Sequence, residues 1–385
     1  MPEILQPGTP EELRDALAGS AAMKQSIELY GRNTRRLMAG LAGPCAVQIS
    51  TARLQGIVQY EPRDLTISVQ AGTSFADLNR ELARNGQMIP LEGAYSEEGT
   101  VGGLVAANVS GPRRRLYGTA RDLVIGMTFA TVEGKLVKSG GMVVKNVAGL
   151  DMGKLMIGSF GTLAAIASVN FKVVPKPAAA RTLLFNFDDV QSAMAARDAA
   201  INGVLTPAAV DVINPILAAQ FNMKGFVLAL MFAGNEAVIE RSHAEAAKFG
   251  PARALPVDEE QRFWSGLENI TPRHLEKFKE GAVVRISTTL SACGEALASV
   301  DGPAHAHAGS GIVRGWFTRP EPASRWLTAG LKRGWKGVVE YSGEAVRRQL
   351  TLWPEPGNDF EIMKKVKNMF DPDGLLNKGR LYDHI

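Results

Sequence analysis

The sequence predicts an α+β fold in two domains, and three observations support this. The chain has 385 residues with 45% apolar side chains, more than one ordinary core accommodates. Up to Pro177, short alternating segments are interleaved with capped helices and glycine turns. Beyond Pro177, amphipathic helices stand between apolar strands, the pattern of a largely antiparallel sheet covered by helices.

The elements follow in order. Thr9-Pro10-Glu11-Glu12 is a capping box with proline at the first helical position, opening a helix through Leu13 and Leu17. "SIELYG" alternates as a strand and runs into "GRNTRR"; "CAVQIS" and "DLTISVQAG" are two further strands. Ser74 to Asp77 opens a helix with Leu78 and Leu82 on one face and Asn85-Gly86 as its stop. After "NFKVVPKP" come the helices "SAMAARDAAI" and "EAVIERSHAEAAKFG" and the strands "GFVLALMFAG", "AVVRISTTL" and "WKGVVEYSG". "DFEIMKKVKNMFDPDGLLNKGRLY" ends in a helix and a turn.

Composition excludes several classes. A formal charge of +4 is too small for a nucleic-acid protein, and the basic residues lack aromatic interleaving. Two cysteines, Cys45 and Cys293, cannot hold an iron–sulfur cluster, which takes about four thiolates, and make a reducing cytoplasm the default. "MPEILQPGTPEEL" has no basic or apolar leader region, so no signal peptide is expected. The longest apolar stretch, Phe226 to Ala233, fits a buried strand and is too short to span a bilayer. Any membrane contact would be peripheral.

Two glycine-rich stretches point to a ligand. In Tyr30-Gly-Arg-Asn-Thr-Arg-Arg36, glycine lets successive amides converge on an anion. Asn33 and Thr34 add donors, and Arg32, Arg35 and Arg36 offset phosphate charge; a basic surface turn reads the same way. In Glu98 to Asp122, Gly102-Gly103 and Ala106-Ala107 leave almost no side-chain volume. That suits a flat ligand against the backbone and equally a helix packed closely on a sheet.

The order of these segments resembles the vanillyl-alcohol oxidase/PCMH superfamily of FAD flavoproteins. "EEGTVGGLVAANVSGPRRRLYGTARDLVIG" is similar to its second flavin-contact segment. "GGMVVKNVAGLDMGKLMIGSFGTLAAI" resembles its K-x-x-x-G-x-D…L-x-x-G-S-x-G-x-L stretch, and "FDPDGLLNKGRLY" its closing DPxGxxNPG turn. Within the superfamily, the similarity is to the FAD-binding subunits of glycolate oxidase complexes. The resemblance implies a PCMH-type FAD-binding domain of two α+β subdomains over 1–177, a cap domain over 178–350, and a segment 351–385 returning to the first. It implies that Gly31, Arg32, Asn33, Thr34 and Arg35 hold the diphosphate of non-covalent FAD. Pro90, Thr100, Val101, Gly102, Gly103, Asn108 and Gly111 would wall the flavin, Gly161 and Ile166 the adenine, and Asn377 the flavin edge. The first loop departs from the family in keeping a single glycine, Gly31.

Two-hydroxy-acid dehydrogenases of the superfamily carry H-x-G-D-G-N-x-H and G-E-H-G segments, which supply metal ligands and a base. Here "HAGSGIVRG" keeps His307 and Gly309, with Ser310, Ile312 and Arg314 in place of the acid, amide and second histidine. "SGEAV" has Ala345 for the histidine. The reading is the remains of a metal site, no metal bound, with His305 and His307 as solvated loop residues. The resemblance then implies a subunit serving a catalytic FAD-binding partner (the D subunit) and an iron–sulfur partner (the F subunit). Two alternatives stay open: an autonomous FAD oxidase or dehydrogenase using Arg314, Glu344 or Tyr341, and a scaffold that has lost FAD.

Overall fold

The computed structural model describes residues 1–143, 150–382 and 385. Residues 144–149, part of the "VVKNVAGLDMGKLM" motif, and residues 383–384 lie outside the described residues. The chain divides into two compact units. One holds Met1–Ser110, Gly118–Lys176 and Glu355–Ile385, and the other holds Gly111–Tyr117 and Pro177–Pro354.

The first unit contains a parallel three-stranded sheet in the order Glu3–Leu5, Val47–Ser50, Ile27–Tyr30. It also contains an antiparallel five-stranded sheet in the order Ile57–Glu61, Thr66–Gln70, Ala165–Lys172, Val124–Ala130, Leu136–Gly140. The first helix, Pro10–Ala22, starts where its capping residue dictates: Thr9 Oγ1 accepts from the Glu12 amide at 3.1 Å. It buries Leu13 and Leu17 with Ile27, Val47 and Ile49. Ser74 caps Phe75–Arg84, whose Phe75, Leu78 and Leu82 pack with Ile67, Val69, Phe129 and Phe171 of the five-stranded sheet.

The second unit is built on an eight-stranded sheet in which every neighbouring pair is antiparallel. Its central strands are Ala209–Ile213, Ala304–His307, Ile312–Phe317 and Ala282–Ser287, with Lys336–Ser342 at one edge. Strand alternation sends Val210, Val212, Ala304, Ala306, Val313 and Val284 to one apolar core. Residues of the helices Val190–Asn202, Cys293–Ala298 and Pro320–Lys332 join them there.

The C-terminal helix Phe360–Phe370 and the turn after it are latched within the first unit by a buried ion pair. Lys367 Nζ donates to Asp371 Oδ2 at 2.6 Å and to the carbonyls of Thr162 and Leu376 at 2.7 and 3.0 Å. Asp371 in turn accepts from the Leu375 and Leu376 amides at 2.9 and 2.8 Å. The aspartate of the FDPDG turn therefore organises the tail from inside the protein. Removing one partner of a buried pair is expected to destabilise by about 3–5 kcal/mol. Lys367→Met should show this as a lower urea midpoint, and an unchanged midpoint would remove the latch from the account.

Candidate functional site

The first unit contains an open pocket. The strand Ile27–Tyr30 delivers the loop Gly31–Arg35 to one side. Asn33 takes a left-handed φ of 56°, a conformation asparagine tolerates better than most residues. Gly31 is required by sterics: a Cβ there would lie 2.2 Å from Thr100 Oγ1.

Thr100 starts the next wall by capping the helix Val101–Ala107, accepting from the Gly103 amide at 3.2 Å. Gly102 and Gly103 both line the pocket, but their missing side chains serve different ends. A Cβ on Gly102 would lie 2.7 Å from Ala71 Cβ, whereas one on Gly103 would meet nothing nearer than Thr100 Oγ1 at 3.0 Å. Gly102 therefore lets the helix pack closely on the Gln70–Gly72 segment, and Gly103 keeps the pocket open.

Phe160, Gly161, Ala164 and Ile166 form a third side. Phe160 and Gly161 both have positive φ, 53° and 71°. Asn377 fixes this bend: its Nδ2 donates to the carbonyls of Phe160 and Leu29 at 2.7 and 3.0 Å, and its Oδ1 accepts from the Leu29 amide at 2.7 Å.

Ten residues expected at the cofactor are thus on this pocket: Gly31, Arg32, Asn33, Thr34, Arg35, Thr100, Gly102, Gly103, Gly161 and Ile166. Five are not among its lining residues. Val101, Pro90 and Asn377 are buried, Asn108 is the left-handed cap of the Val101–Ala107 helix, and Gly111 falls in the second unit. The pocket adds residues that sequence reasoning missed, chiefly Phe160 and Arg380.

The histidines of HAHAGSGIVRG require a correction. They are not solvated loop residues: Ala304–His307 is a strand, and His305 and His307 are each only 5% exposed. Alternation gives Ala304 and Ala306 to the core and both imidazoles to the opposite face. Val212 pairs with Ala306 on the adjacent strand, which brings Asp211 against them. His305 Nε2 lies 2.7 Å from Asp211 Oδ2, and His307 Nδ1 lies 3.1 and 3.2 Å from its two oxygens.

Asp211, His305 and His307 are ligand types for a divalent cation, with ligand atoms within 4.8 Å of one another. Arg314 meets the group at the outer nitrogen of His307. Its Nη1 donates to His307 Nε2 at 2.8 Å, while its Nε and Nη2 reach Glu340 at 2.6 and 3.2 Å. Arg285 Nε adds a contact to Glu340 at 3.4 Å. A guanidinium only donates, so His307 Nε2 must accept, and its proton sits on Nδ1, facing Asp211. Burial pushes the His307 imidazole down to about 4, against the opposing pull of Asp211. Burial works to raise Asp211 and Glu340. The two imidazoles outweigh it at Asp211, and Arg314 outweighs it at Glu340, so both carboxyls are held below their ordinary range. Glu344, the acid singled out from sequence, is exposed at the start of the helix Glu344–Arg347, and Tyr341 is buried.

Comparison with known proteins places both ends of the chain. Residues 2–140 match the FAD binding domain family, and residues 347–381 match the family of FAD linked oxidases, C-terminal domain. The two matches are to an FAD-binding domain and to the C-terminal domain of FAD linked oxidases. Over 162 residues it is 40% identical to glycolate oxidase subunit GlcE of Escherichia coli (strain K12), a match spanning 42% of this chain and 45% of that subunit. An uncharacterized FAD-linked oxidoreductase of Mycobacterium tuberculosis (strain H37Rv) is 26% identical over 98% of this chain and 90% of its own length. Among solved structures, an alkyldihydroxyacetonephosphate synthase superposes with a TM-score of 0.72 over 97% of this chain and 75% of that one, at 17% identity, a likeness of fold alone. The expected α+β architecture of the PCMH-type FAD oxidases is met, and FAD is the cofactor of this family.

In this FAD-linked chain the buried imidazole sets a pH dependence. The fold holds His307 neutral down to about 4, while an unfolded histidine takes its proton near about 6.5. Between those values the unfolded state binds more protons. The stabilisation is therefore complete above about 6.5 and is lost as pH falls toward about 4. Denaturant unfolding followed from pH 7.5 to pH 4.5 should show that decline in the wild type. His307→Asn, which keeps a donor toward Asp211 without the titration, should flatten it; equal slopes would contradict the assignment.

Proposed function

We propose that this chain is the FAD-binding subunit, of E type, in a glycolate oxidase complex, and that the pocket beside Gly31 and Gly103 seats its FAD. The observation that bears most weight is the second unit's closed Asp211–His307–Arg314–Glu340 network. Oxidation of a hydroxy acid needs a base placed to take the hydroxyl proton. His307 has both ring nitrogens engaged, and Ala345 stands where the superfamily's other histidine would be.

The pocket suits the cofactor. It has a glycine that a methyl group could not replace, and arginines at 32 and 35 for the phosphates. None of its lining residues is histidine or cysteine, in keeping with non-covalent attachment. When bound, FAD supplies the two-electron acceptor. The loop Gly31–Arg35 would hold the diphosphate, Thr100 and Gly103 would border the flavin, and Gly161 and Ile166 would border the adenine.

The remaining parts of the reading concern the assembly. A D-type FAD subunit would hold the working substrate site and oxidise glycolate to glyoxylate. An F-type iron–sulfur subunit would take the electrons onward, a task for which the two cysteines of this chain are too few. Among the described residues no helix is long and apolar enough to cross a membrane; any attachment to the inner face of the membrane would come through the complex, which would otherwise be cytoplasmic.

One observation favours a second reading. The Asp211–His305 pair, at 2.7 Å, is an imidazole oriented by a buried carboxylate, the arrangement of a general base. An autonomous dehydrogenase would use it.

The absorption spectrum of the purified chain separates these readings. A flavin spectrum that glycolate leaves oxidised, and that is bleached once a D-type subunit is added, is the expected result. Bleaching by a hydroxy acid in the isolated chain would establish the autonomous reading. Gly103→Val should leave the circular dichroism spectrum unchanged and lower bound FAD at least about tenfold, because the branched side chain fills the cofactor's volume. Full flavin content in that variant would move the site elsewhere.

A further inference from the structure

The pocket wall contains a cation that the nucleotide-binding loop does not account for. Arg380 belongs to the turn after Asn377 and lines the pocket. Its Nη1 donates to the carbonyls of Gly40 and Arg36 at 3.1 and 3.4 Å, and its Nη2 to that of Arg35 at 3.5 Å. Those carbonyls lie at the end of the Gly31–Arg36 loop and just beyond it, so the guanidinium is pinned beside the segment expected to meet phosphate. Its Cζ lies 5.5 Å from the ring centroid of Phe160, another lining residue.

Three features distinguish Arg380 from an ordinary structural arginine. Among the described residues it forms no ion pair; Glu28 acts on it only through space. Its carbonyl contacts are long and leave some of its N–H groups over. It is also enclosed by protein yet keeps partial solvent access, as a group facing into a pocket does. Burial pushes the guanidinium down to about 10, so it remains charged at neutral pH. A buried charge is costly unless something of opposite sign meets it. The chain offers Lys367 a carboxylate, Asp371, and offers Arg314 another, Glu340. Among the described residues none offers Arg380 a paired carboxylate, and a bound anion would supply that charge.

We propose that Arg380 binds the diphosphate of the dinucleotide, supplying from the C-terminal turn the fixed positive charge that complements the single-glycine loop Gly31–Arg35. This rests on the pocket being the FAD seat. It also accounts for that loop's departure from the superfamily pattern. With fewer glycines, fewer backbone amides converge on the anion, and a guanidinium held from behind the loop restores the attraction.

The test is titration of the full apo-chain with FAD, followed by quenching of flavin fluorescence at low and at high sodium chloride. The variants are Arg380→Gln, Arg380→Lys and Gly103→Val, each checked for folding by circular dichroism. Arg380→Gln should weaken FAD at least about tenfold at low salt, the loss that accompanies a charge-assisted hydrogen bond. The gap should narrow at high salt, because part of the wild-type attraction is screened. Arg380→Lys should recover most of the affinity, and it serves alone if the glutamine variant does not fold. Unchanged FAD affinity in Arg380→Gln overturns the proposal. So does a loss of the same size at every salt concentration, or no recovery with lysine, either of which would make Arg380 a packing residue. Wild-type affinity in Gly103→Val would instead overturn the pocket assignment beneath it, so the two failures are told apart.

Discussion

Asn377 joins two chain segments that line the pocket, making three hydrogen bonds between Leu29 on the parallel sheet and Phe160 in the Gly-Ser-Phe-Gly bend. Both ends of this bridge are under constraint. Phe160 and Asn377 themselves have left-handed φ values of 53° and 44°, conformations that persist only when the surroundings over-determine them. A Cβ on Gly161 would lie 2.8 Å from Asn377 Nδ2, so the glycine is what lets the amide in. Hydrogen bonds behind the pocket surface therefore fix the positions of both segments. Arg380 sits three positions further along the same turn, held by the latch of Lys367 and Asp371.

The second unit solves a different electrostatic problem. Asp211 and Glu340 are two buried carboxylates on one sheet; Arg314 and Arg285 both meet Glu340, while Asp211 is met by His305 and His307. Between them the imidazole of His307 is neutral and oriented, accepting on one nitrogen and donating on the other. Arg314 links the outer nitrogen of His307 to Glu340. The network also gives the sheet a defined polar face, since each member is satisfied by the next.

Much of the first unit was legible from local patterns. Thr9 and Ser74 marked helix starts because capping depends on a few adjacent residues, and Gly31 to Arg35, which line the pocket, stood out because a strand ran directly into them. Gly102 and Gly103 were legible as a pair but not as individuals; telling packing from pocket required the position of Ala71. What could not be read were the long-range partners. Asp211 stands in the apolar run "AVDVI", 96 positions from His307, and nothing in its neighbours marks it. Glu340 was hidden in the same way, while Glu344 matched a motif and proved exposed. The histidines were misjudged because the glycine turn after them suggested a loop. The alternation Ala304-His305-Ala306-His307 was the usable signal, since small apolar residues at every second position are what a strand over a packed core requires. Arg380 was missed because a lone arginine after a turn has no pattern at all.

The distance in sequence across the Asn377 bridge has a consequence for how the protein is made. Leu29 and Asn377 are 348 positions apart, so a ribosome completes the parallel sheet and the Phe160 bend, then all of the second unit, before the residue that joins them emerges. Until then the two walls have no bridge and Arg380 does not yet exist. Closure of this bridge is on this account a late event, occurring at release from the ribosome or after it.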